Sequence, residues 1–408
     1  MTKPITIERL GHQGDGIAPG PVFAPLTLPG EEVTGTIVGD RLVDVRIVTP
    51  SSERVSPPCR HFKTCGGCAM QHAAPDFVEE WKSNIVVQSL AAHGIDAEIG
   101  SVHTSPPLSR RRATFSARRT KKGALVGFHA RASDVVVAIP DCQLLHPDLM
   151  RSMAVAQALA VACGSRKGEL SVQATLSIAG LDIAVRNGKP LDEPLQMELA
   201  QLASQLDLAR LSWEGEIVAT RHPPEQVFGS ARVTTPPGAF LQATQDGEAR
   251  ILAAVSTLLK GKSRIVDLFA GCGTFALPLA QSAEVHAVEG DAAMMSALDR
   301  GWRHASGLKK VTHEARDLFR RPLLADELSV FDAAIIDPPR AGAAAQIREI
   351  AAARVPLIAH VSCNPISFAR DAATLIAAGY TMGPIDVIDQ FRWSSHVELV
   401  AGFSLTSA

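Results

Sequence analysis

The sequence has almost no net charge, because 40 Lys and Arg residues balance 42 Asp and Glu residues and leave a formal charge of −2. Such neutrality gives no general support for binding nucleic acid, so any polyanion-binding surface must be a local patch. An uninterrupted apolar run of about 18 residues is also missing, which argues against a membrane span. The first residues, MTKPITIERLGHQG, lack the basic and then apolar layout of a signal peptide. We therefore expect a cytoplasmic protein with no membrane partner.

Internal repeats and low-complexity tracts are absent too, and the 408 residues predict two or three globular domains. Residues 1–55 contain short runs of alternating Thr, Val, Ile and polar residues between Gly and Pro, which predict an OB-like β-barrel of about five strands. Residues 56–230 mix strand-like and helix-like stretches, which predict a central α+β domain. Residues 231–408 alternate strand and helix and predict an α/β domain with a parallel sheet covered on both faces.

One helix of the central region is predicted over residues 76–92, with Asp76 as its N-cap. This helix is a candidate to pack on the α/β domain rather than on the central domain to which its sequence belongs. A second helix is predicted around Met153 to Ala162.

A glycine-rich turn in RIVDLFAGCGTFALPLA is the most informative local pattern. Gly271 and Gly273 follow a predicted buried strand, where the backbone must approach a ligand without a side chain in the way. The next strand ends in Glu289, placed to accept hydrogen bonds from ribose hydroxyls. Ala276 stands where a dinucleotide-binding turn has its third glycine. The form D-x-F-x-G-x-G-x-F instead resembles motif I of Rossmann-like methyltransferases, which favours S-adenosylmethionine over a nicotinamide cofactor, with a turn that holds no ligand as the other alternative.

Two further strands of the α/β domain end in residues suited to chemistry. DAAIID ends in DPPR, which places Asp337 before a rigid Pro-Pro turn, and LIAHVS ends in Cys363. Ligands bind at the carboxyl edge of an open parallel sheet, so both side chains are expected near the glycine turn. The final strand, HVELVAGF, would bring Glu398 to the same edge. Most free cysteines are small buried hydrophobes, and that interpretation of Cys363 stays open here.

The segments DLFAGCGTF, DPPRAG, HVSCNP and QFRWSSHVE, in this order and spacing, resemble the RNA 5-methyluridine methyltransferase family over nearly the whole chain. The similarity is greatest to the bacterial 23S rRNA uracil-C5 methyltransferase branch, which carries an N-terminal TRAM barrel and an iron–sulfur cluster. The resemblance implies a Rossmann-like S-adenosylmethionine (SAM) methyltransferase domain behind a TRAM-like barrel and a central domain with a metal cluster. It implies 23S rRNA as the favoured substrate, with tRNA as the alternative, and a monomeric enzyme.

The chemistry of the family explains the residue types. Carbon 5 of uracil is a poor nucleophile until a thiolate adds to carbon 6, and a base must later remove the carbon 5 proton. The resemblance implies that Cys363 is the nucleophile, Glu398 the general base, and Asp337 a carboxyl group facing both cofactor and target base. In AFLQAT, Phe240 would pack on the flipped base and Gln242 would contact the cofactor or a uracil carbonyl.

The same resemblance implies a set of cofactor contacts: Gln242, Phe269, Gly271, Gly273, Thr274, Glu289, Asp317 and Asp337. Thr274 and Asp317 stand where relatives often have Asn, so this chain departs from the pattern there. Asp317 follows the third strand, where the methyltransferase fold usually meets the adenine amino group. A solvated helix cap is the alternative interpretation of Asp317.

Three of the seven cysteines lie in CRHFKTCGGC, where Cys59, Cys65 and Cys68 are spaced C-x5-C-x2-C, and Cys142 lies in the distant segment IPDCQLLHP. In a chain without an export signal such a cluster indicates metal binding before disulfides. Four thiolates suit zinc or a [4Fe–4S] cluster, and spacing alone does not choose. The family resemblance implies [4Fe–4S]. The C-x3-C-x2-C pattern of radical enzymes is absent, which argues against radical methylation.

A local basic run, SRRRATFSARRTKKG, is the candidate RNA surface of this otherwise neutral chain. Its cations are Arg110, Arg111, Arg112, Arg118, Arg119, Lys121 and Lys122. They could neutralise several phosphates, although a charge run is often only a solvated face. Loop or single-stranded RNA is the expected target because its bases can be splayed out.

Two other classes of function remain as alternatives. D-P-P also occurs in amino-group methyltransferases, but those usually continue with an aromatic residue where this chain has Arg340, and they have no use for Cys363. The other class is non-enzymatic, an RNA-binding iron–sulfur protein or assembly factor with a vestigial methyltransferase fold. A Cys363→Ala variant with full activity would favour the first class, and failure to bind SAM would favour the second.

Overall fold

The computed structural model describes residues 3–405, and its elements are numbered here along the chain. A six-stranded curled sheet forms the N-terminal part, with strand order β1-β5-β6-β4-β3-β2. Its strands are β1 (Ile5–Thr6), β2 (Arg9–Leu10), β3 (Gly16–Ala18), β4 (Val22–Ala24), β5 (Glu32–Val38) and β6 (Arg41–Thr49). The sheet closes around a small core of Ile7, Val33 and Leu42.

The expected five strands are therefore six, and the difference arises in the run ITIERL. Ile7 donates its amide hydrogen to Glu31 while Glu8 donates to Ile17, so the chain leaves one neighbouring segment and joins another. This change of partner splits one predicted strand into β1 and β2.

Helix α1 (Pro75–Ala91) and strand β7 (Ile99–Thr104) follow the cysteine-rich segment. Ala74 is the N-cap residue and Pro75 opens the helix, so the predicted N-cap Asp76 is wrong and lies in the first turn. Proline suits that first position because its missing N–H would have no helical partner there. Along α1, Val86 and Leu90 are buried in the core of the α/β domain.

A seven-stranded sheet forms the centre of the middle region, with order β10-β9-β8-β11-β12-β13-β14. Its strands are β8 (Arg112–Arg119), β9 (Ala124–His129), β10 (Val136–Ala138), β11 (Leu170–Ser177), β12 (Gly180–Arg186), β13 (Arg210–Trp213) and β14 (Glu216–Thr220). Its helices are α2 (Pro147–Met150), α3 (Ser152–Cys163) and α4 (Glu193–Gln205). Phe115, Val172, Leu159 and Trp213 lie in the core between sheet and helices. An α+β arrangement was expected here and is present.

A two-stranded hairpin, β15 (Glu225–Phe228) and β16 (Ala231–Thr234), leads into the C-terminal α/β part. The strands of that part are β17 (Arg264–Leu268), β18 (Glu284–Glu289), β19 (Val311–Ala315), β20 (Ala333–Ile336), β21 (Leu357–Ser362), β22 (Tyr380–Asp389) and β23 (Glu398–Leu405). Its helices are α5 (Gln245–Leu258), α6 (Ala276–Leu279), α7 (Ala292–His304), α8 (Ala325–Leu328), α9 (Ala344–Ala353) and α10 (Pro365–Ala377).

The C-terminal sheet has eight strands in the order β19-β18-β17-β20-β21-β23-β22-β7. All pairs are parallel except those made by β23, which runs against both β21 and β22. Two apolar cores cover its faces, which confirms the predicted α/β arrangement. Since the strand order reverses beside β17, the carboxyl ends of β17, β20 and β21 form a crevice, as in other open α/β sheets.

The edge strand of this sheet, β7, comes from far upstream and pairs in parallel with β22. Together with α1 it inserts residues 75–104 into the α/β part before the chain returns to the middle region. The α/β part is therefore built from two separate stretches of sequence, and the domain limits at 55 and 230 stay a prediction. Among residues 3–405, no helix is long and apolar enough to cross a membrane.

Candidate functional site

The glycine turn follows β17 as expected and leaves open space at the crevice. Gly271 and Gly273 have φ angles of 56° and 94°, which glycine adopts without strain. A Cβ atom on Gly273 would lie 2.9 Å from Leu277, so the turn packs too tightly for a side chain there. A Cβ atom on Gly271 would meet nothing within 4 Å. The turn is thus tight on its protein side and open on the side where a ligand would lie.

Glu289 ends β18 beside this turn. One of its carboxylate oxygens accepts from the Gly271 amide at 3.1 Å and the other from the Asp291 amide at 3.1 Å. These two bonds fix the carboxylate at the mouth of the crevice, where ribose hydroxyls could displace them.

Asp267 lies on β17 below the turn and is completely buried. No hydrogen bond of normal geometry within residues 3–405 reaches its carboxylate oxygens. Burial and the nearby carboxyl groups of Asp337 and Glu289 raise the pKa of Asp267 well above its usual value. The Ala276 amide opposes this rise in pKa, so the carboxyl group faces the start of α6 beneath the glycine turn.

The predicted catalytic residues meet at the edge formed by the carboxyl ends of β20 and β21 and the amino end of β23. Asp337 follows β20, Cys363 follows β21, and Glu398 opens β23. Because Ser362 pairs with Leu399 in an antiparallel register, the next residues outward, Cys363 and Glu398, come side by side. The sequence alone placed these residues at one edge of the sheet, and the structure brings them together.

Burial and mutual repulsion make negative charge unfavourable on these three groups. Burial raises the pKa of Asp337 to about 7, and burial together with Asp337 raises the pKa of Glu398 well above its usual value. Burial and both carboxyl groups raise the pKa of the Cys363 thiol to about 12. Arg340 opposes this effect, because its positive charge lowers the pKa values of Cys363 and Glu398. This environment therefore holds the thiol protonated and favours a positively charged ligand.

Two glutamine side chains connect the carboxyl groups. Gln242 Nε2 donates to Asp337 at 3.3 Å, and Gln390 Nε2 donates to Gln242 Oε1 at 2.5 Å and to Glu398 Oε1 at 3.1 Å. Gln242, Gln390 and Glu398 are all buried. Gln242 is thus held beside Asp337, whereas Gln390 was not predicted. The segment QFRWSSHVE contained that signal, because a buried amide beside a buried acid is suited to orient it.

Phe240 lies at the rim of the site with 53% of its surface exposed. The Arg112 guanidinium stacks over its ring at 4.8 Å from the centroid. Burial, with Arg110 and Arg111 nearby, lowers the pKa of Arg112 to about 10. An exposed aromatic ring beside a cation offers a stacking surface for a base.

The remaining predicted cofactor residues lie around the glycine turn. Phe269 contacts Phe319 at 5.4 Å between ring centroids, and Phe319 is half exposed. Asp317 is exposed and accepts from the amides of Phe319 and Arg320, as a cap does. Thr274 is partly exposed beside Gly273. The two phenylalanine rings and Asp317 form one side of the crevice. Phe319 is a further member of this group that was not predicted.

A buried ion pair, also missed by sequence reasoning, holds the loop between β22 and β23. Lys82 of α1 lies 2.6 Å from Asp389, and both side chains are almost completely buried. Lys82 also donates to the carbonyl oxygen of His396 at 2.8 Å. The amides of Ala69 and Met70 donate to the Trp393 carbonyl oxygen. The loop leading to Glu398 is therefore fixed by α1 and by the cysteine-rich segment.

The four predicted metal ligands line one cavity of about 20 Å³. They are Cys59, Cys65, Cys68 and Cys142. Burial and the other three thiols raise the pKa of Cys68 to about 12. As the side chains stand, no group of three or more His, Cys, Asp or Glu residues within 3–405 is arranged to hold a single metal ion. The structure brings the four thiols together without showing a metal centre.

The basic run divides into buried and exposed parts. Arg111 is buried, donates to Glu248 at 2.5 Å and to the Gln242 carbonyl oxygen, and so faces the protein rather than any phosphate. Arg118 is exposed and lies 2.7 Å from Glu169.

The other cations of the run lie in three different settings. Arg110 and Arg112 lie near the rim, each over a phenylalanine ring. Arg119 is partly exposed and donates to the Gly164 carbonyl oxygen at 3.4 Å. Lys121 and Lys122 are exposed in the turn between β8 and β9. The free cations are therefore fewer than the sequence suggested.

Comparisons with known proteins agree on one family. The sequence model of the tRNA (Uracil-5-)-methyltransferase family matches residues 304–406. An RNA methyltransferase of Mesorhizobium japonicum is 45% identical over 98% of both chains. The 23S rRNA (uracil(1939)-C(5))-methyltransferase RlmD of Chromohalobacter salexigens is 32% identical over 97% of this chain and 87% of its own.

A solved structure shares the fold along the full length. The Pyrococcus abyssi tRNA (uracil-54, C5)-methyltransferase, determined with S-adenosyl-L-homocysteine, superimposes with a TM-score of 0.76. It covers 98% of this chain and 100% of its own, at 21% sequence identity. At that identity the likeness establishes the fold.

Proposed function

Because this chain belongs to the RNA uracil-C5 methyltransferase family, we propose that it methylates carbon 5 of a uridine in 23S rRNA, with Cys363 as covalent nucleophile. The observation that carries this proposal is the edge where Cys363, Glu398 and Asp337 meet. A thiol beside a buried acid that can accept a proton is the pair that methylation at this carbon requires. An amino-group methyltransferase would need neither.

SAM is the proposed methyl donor, and the crevice fits it in two respects. The open side of Gly271 leaves room for backbone contact, and Glu289 lies where ribose would lie. Phe269 and Phe319 would flank an adenine ring. When bound, SAM supplies an electrophilic methyl group on a positively charged sulfur.

Cys363 performs the first step in this proposal. Its thiol must lose a proton, and the local negative charge opposes that loss while Arg340 favours it. A cationic ligand in the crevice would offset the same negative charge and lower the pKa of the thiol. The thiolate then adds to carbon 6 of the uracil ring, which makes carbon 5 nucleophilic toward the methyl group.

Glu398 performs the last step. Its Oε1 accepts from Gln390, which leaves the other carboxylate oxygen for the proton of carbon 5. Removal of that proton allows the carbon–sulfur bond to break and returns Cys363 to its thiolate form. A carboxylate whose pKa is raised by burial is a stronger base than a solvated one, which suits this task.

The target base must leave its stack to reach this buried edge. Phe240 and Arg112 at the rim supply a stacking surface for it, and Gln242 lies between that rim and Asp337. We expect the RNA backbone to follow the exposed cations Lys121 and Lys122 toward the site. The RlmD relative, whose name gives 23S rRNA as its substrate, supports ribosomal over transfer RNA.

A [4Fe–4S] cluster is the proposed occupant of the cysteine cavity. Four thiols line that cavity, and four thiolates can bind either zinc or a four-iron cluster. The resemblance of the chain to the cluster-bearing 23S rRNA branch favours the four-iron cluster. Its proposed role is to fix the segment that holds the loop before Glu398.

The deciding experiment measures 5-methyluridine in 23S rRNA and tRNA by mass spectrometry, with and without the gene. Loss of one methyluridine from 23S rRNA supports the proposal, and loss from tRNA alone would change the substrate. If neither pool changes, the activity itself is wrong.

A Glu398→Gln variant tests the mechanism. It should still form the carbon–sulfur bond and transfer the methyl group, but it cannot remove the carbon 5 proton. We therefore expect a covalent protein–RNA complex that survives denaturing electrophoresis. The double variant Cys363→Ala, Glu398→Gln should form none, and a complex that persists in it would exclude Cys363 as the nucleophile.

A further inference from the structure

The orientation of the Gln242 amide is fixed by a chain of hydrogen bonds that starts at a backbone group. The Ala243 amide can only donate, and it donates to Gln390 at 2.7 Å. The accepting atom of Gln390 is therefore its oxygen, and the other end of that side chain is its NH2 group. This assignment follows from hydrogen-bond chemistry rather than from the appearance of the amide.

The NH2 group of Gln390 donates both of its hydrogens, one to Gln242 and one to Glu398. The Gln242 atom that receives the first hydrogen must be its oxygen. The NH2 group of Gln242 consequently points away from Gln390 and toward Asp337, to which it donates at 3.3 Å. Among residues 3–405 this NH2 group makes no other hydrogen bond, so its second N–H is available to a ligand.

A turned Gln242 amide would be strongly disfavoured. It would place two NH2 groups against each other at 2.5 Å and an oxygen against the Asp337 carboxyl group. Both amides are buried, so water cannot compensate for the broken hydrogen bonds. The site therefore presents a hydrogen-bond donor, and not an acceptor, at Gln242.

Uracil and cytosine differ at ring position 4, where uracil has a carbonyl oxygen and cytosine an amino group, and at N3, which carries a hydrogen only in uracil. Resting on the proposed function, we propose that Gln390 is a positioning residue that holds the Gln242 amide with its N–H toward position 4 and so selects uracil over cytosine. A donor is complementary to the carbonyl oxygen and opposes the amino group, and the fixed orientation prevents the amide from adapting to cytosine.

The experiment compares three fluorescein-labelled RNAs that carry uridine, cytidine or 2-pyrimidinone riboside at the mapped methylation position. Their dissociation constants are measured by fluorescence anisotropy with saturating S-adenosylhomocysteine, which prevents turnover. Phosphate contacts are the same in all three RNAs, so the ratios report the base alone. 2-Pyrimidinone has only hydrogen at position 4 and shares the unprotonated N3 of cytosine, so its comparison with cytidine isolates the effect of the amino group at position 4.

With the wild-type protein we expect uridine RNA to bind most tightly, 2-pyrimidinone RNA about 5- to 10-fold more weakly, and cytidine RNA more weakly still. In Gln390→Met, which retains the side-chain length but cannot donate, the Gln242 amide is free to turn. The ratio of the dissociation constant of cytidine RNA to that of uridine RNA should then fall about 10-fold or more. Single-turnover methylation of the cytidine and uridine RNAs should show the same narrowing.

Gln346→Met is the matched control. Gln346 is another buried glutamine, which bonds both the amide and the carbonyl oxygen of Leu323 far from the site. Its replacement removes the same group and should lower stability without moving the three ratios. A general loosening of the fold would affect both variants alike.

Equal binding of uridine and cytidine RNA by the wild-type protein would overturn the inference, and this arm needs no variant. An unchanged ratio in Gln390→Met would overturn it as well. Neither result would contradict the proposed function, which depends on methyl transfer to the uridine RNA by the wild-type protein. Failure of that transfer would refute the proposed function separately.

Discussion

At the scale of single residues, Asp337 makes the stability of the protein depend on pH. Burial raises its pKa to about 7, whereas an unfolded aspartate titrates near about 3.9. Between these values the folded state binds a proton that the unfolded chain has released, so stability falls as pH rises through the window. The loss of stability caused by ionising Asp337 is fully present above about pH 7 and absent below about pH 4.

Asp337→Asn should therefore stabilise the protein at pH 8 and leave it unchanged at pH 4. Each unit of pKa shift is about 1.4 kcal/mol, and partial exposure of the side chain reduces the effect, so we expect roughly 1–3 kcal/mol at pH 8. The measurement is the difference in Tm between variant and wild type at both pH values, with loss of methyl transfer accompanying it.

Asp332→Asn is the opposing control. Burial alone would raise the pKa of Asp332, but hydrogen bonds from Ser263 and Arg264 hold it below its usual value. Its charge is therefore favourable in the folded state, and its removal should lower Tm at pH 8 and not at pH 2. A stabilising effect of both substitutions would contradict the assigned signs.

Single residues at the carboxyl ends of strands were the best predicted part of the site. Asp337 and Cys363 follow buried strands, and parallel strands bring their ends to one edge, so sequence order alone implied their proximity. Gln390 and Lys82 were not predicted, because each is defined by a partner distant in sequence. Local patterns carry no information about such long-range pairs.

At the scale of secondary-structure elements, α1 stabilises the loop that leads to Glu398. Lys82 and Asp389 are both buried, and removal of the lysine leaves an unpaired buried carboxylate. Lys82→Met should cost about 3–5 kcal/mol of folding free energy, seen as a lower Tm. It should also reduce kcat more than it weakens RNA binding. The loop leads to Glu398, the proposed general base, and supplies none of the proposed phosphate contacts.

The double variant Lys82→Met, Asp389→Asn separates charge from packing. With both charges removed, much of the lost stability should return, while the Lys82 bond to the His396 carbonyl oxygen stays broken. Recovery of Tm without full recovery of kcat is the expected result. Equal losses in the single and double variants would show that packing, and not the ion pair, is what α1 contributes.

Element types were predicted better than element neighbours. Alternating strands and helices after residue 263 implied a parallel sheet, and the observed order bears this out. No local pattern indicated that β7 joins that sheet beside β22, because its pairing partner lies more than 280 residues downstream. Hydrophobic periodicity reports what a segment is and not where it docks.

At the scale of the whole molecule, the cysteine-rich segment links the middle region to the catalytic edge. The amides of Ala69 and Met70 bind the Trp393 carbonyl oxygen of the loop before Glu398. Cys68→Ser should remove bound iron and sulfide, and reduce methyl transfer through that loop. The expected content in the wild-type protein, purified without oxygen, is about four irons per chain.

Cys163→Ser is the control, since Cys163 is buried at the end of α3 and does not line the cysteine cavity. It should lower stability and keep the iron. Zinc in place of iron in the wild-type protein would refute the cluster while leaving the segment's positioning role intact.

RNA affinity must arise locally in a molecule whose net charge is only −2. Of the basic run, Arg111 is committed to Glu248 and Arg118 to Glu169, whereas Lys121 and Lys122 extend freely from the turn between β8 and β9. Replacing both lysines by alanine should weaken RNA binding and lower the slope of log affinity against log salt by about one unit for each phosphate that the variant no longer neutralises.

The rate constant of the bound complex should stay unchanged in that variant, because neither lysine reaches the catalytic edge. Lys260→Ala combined with Lys310→Ala removes equal charge at the opposite edge of the sheet, before β17 and β19. If long-range attraction by total charge governed binding, both double variants would weaken RNA binding equally. A loss confined to Lys121 and Lys122 would instead show that a neutral protein binds RNA through one turn, at the end of β8 opposite to Arg112.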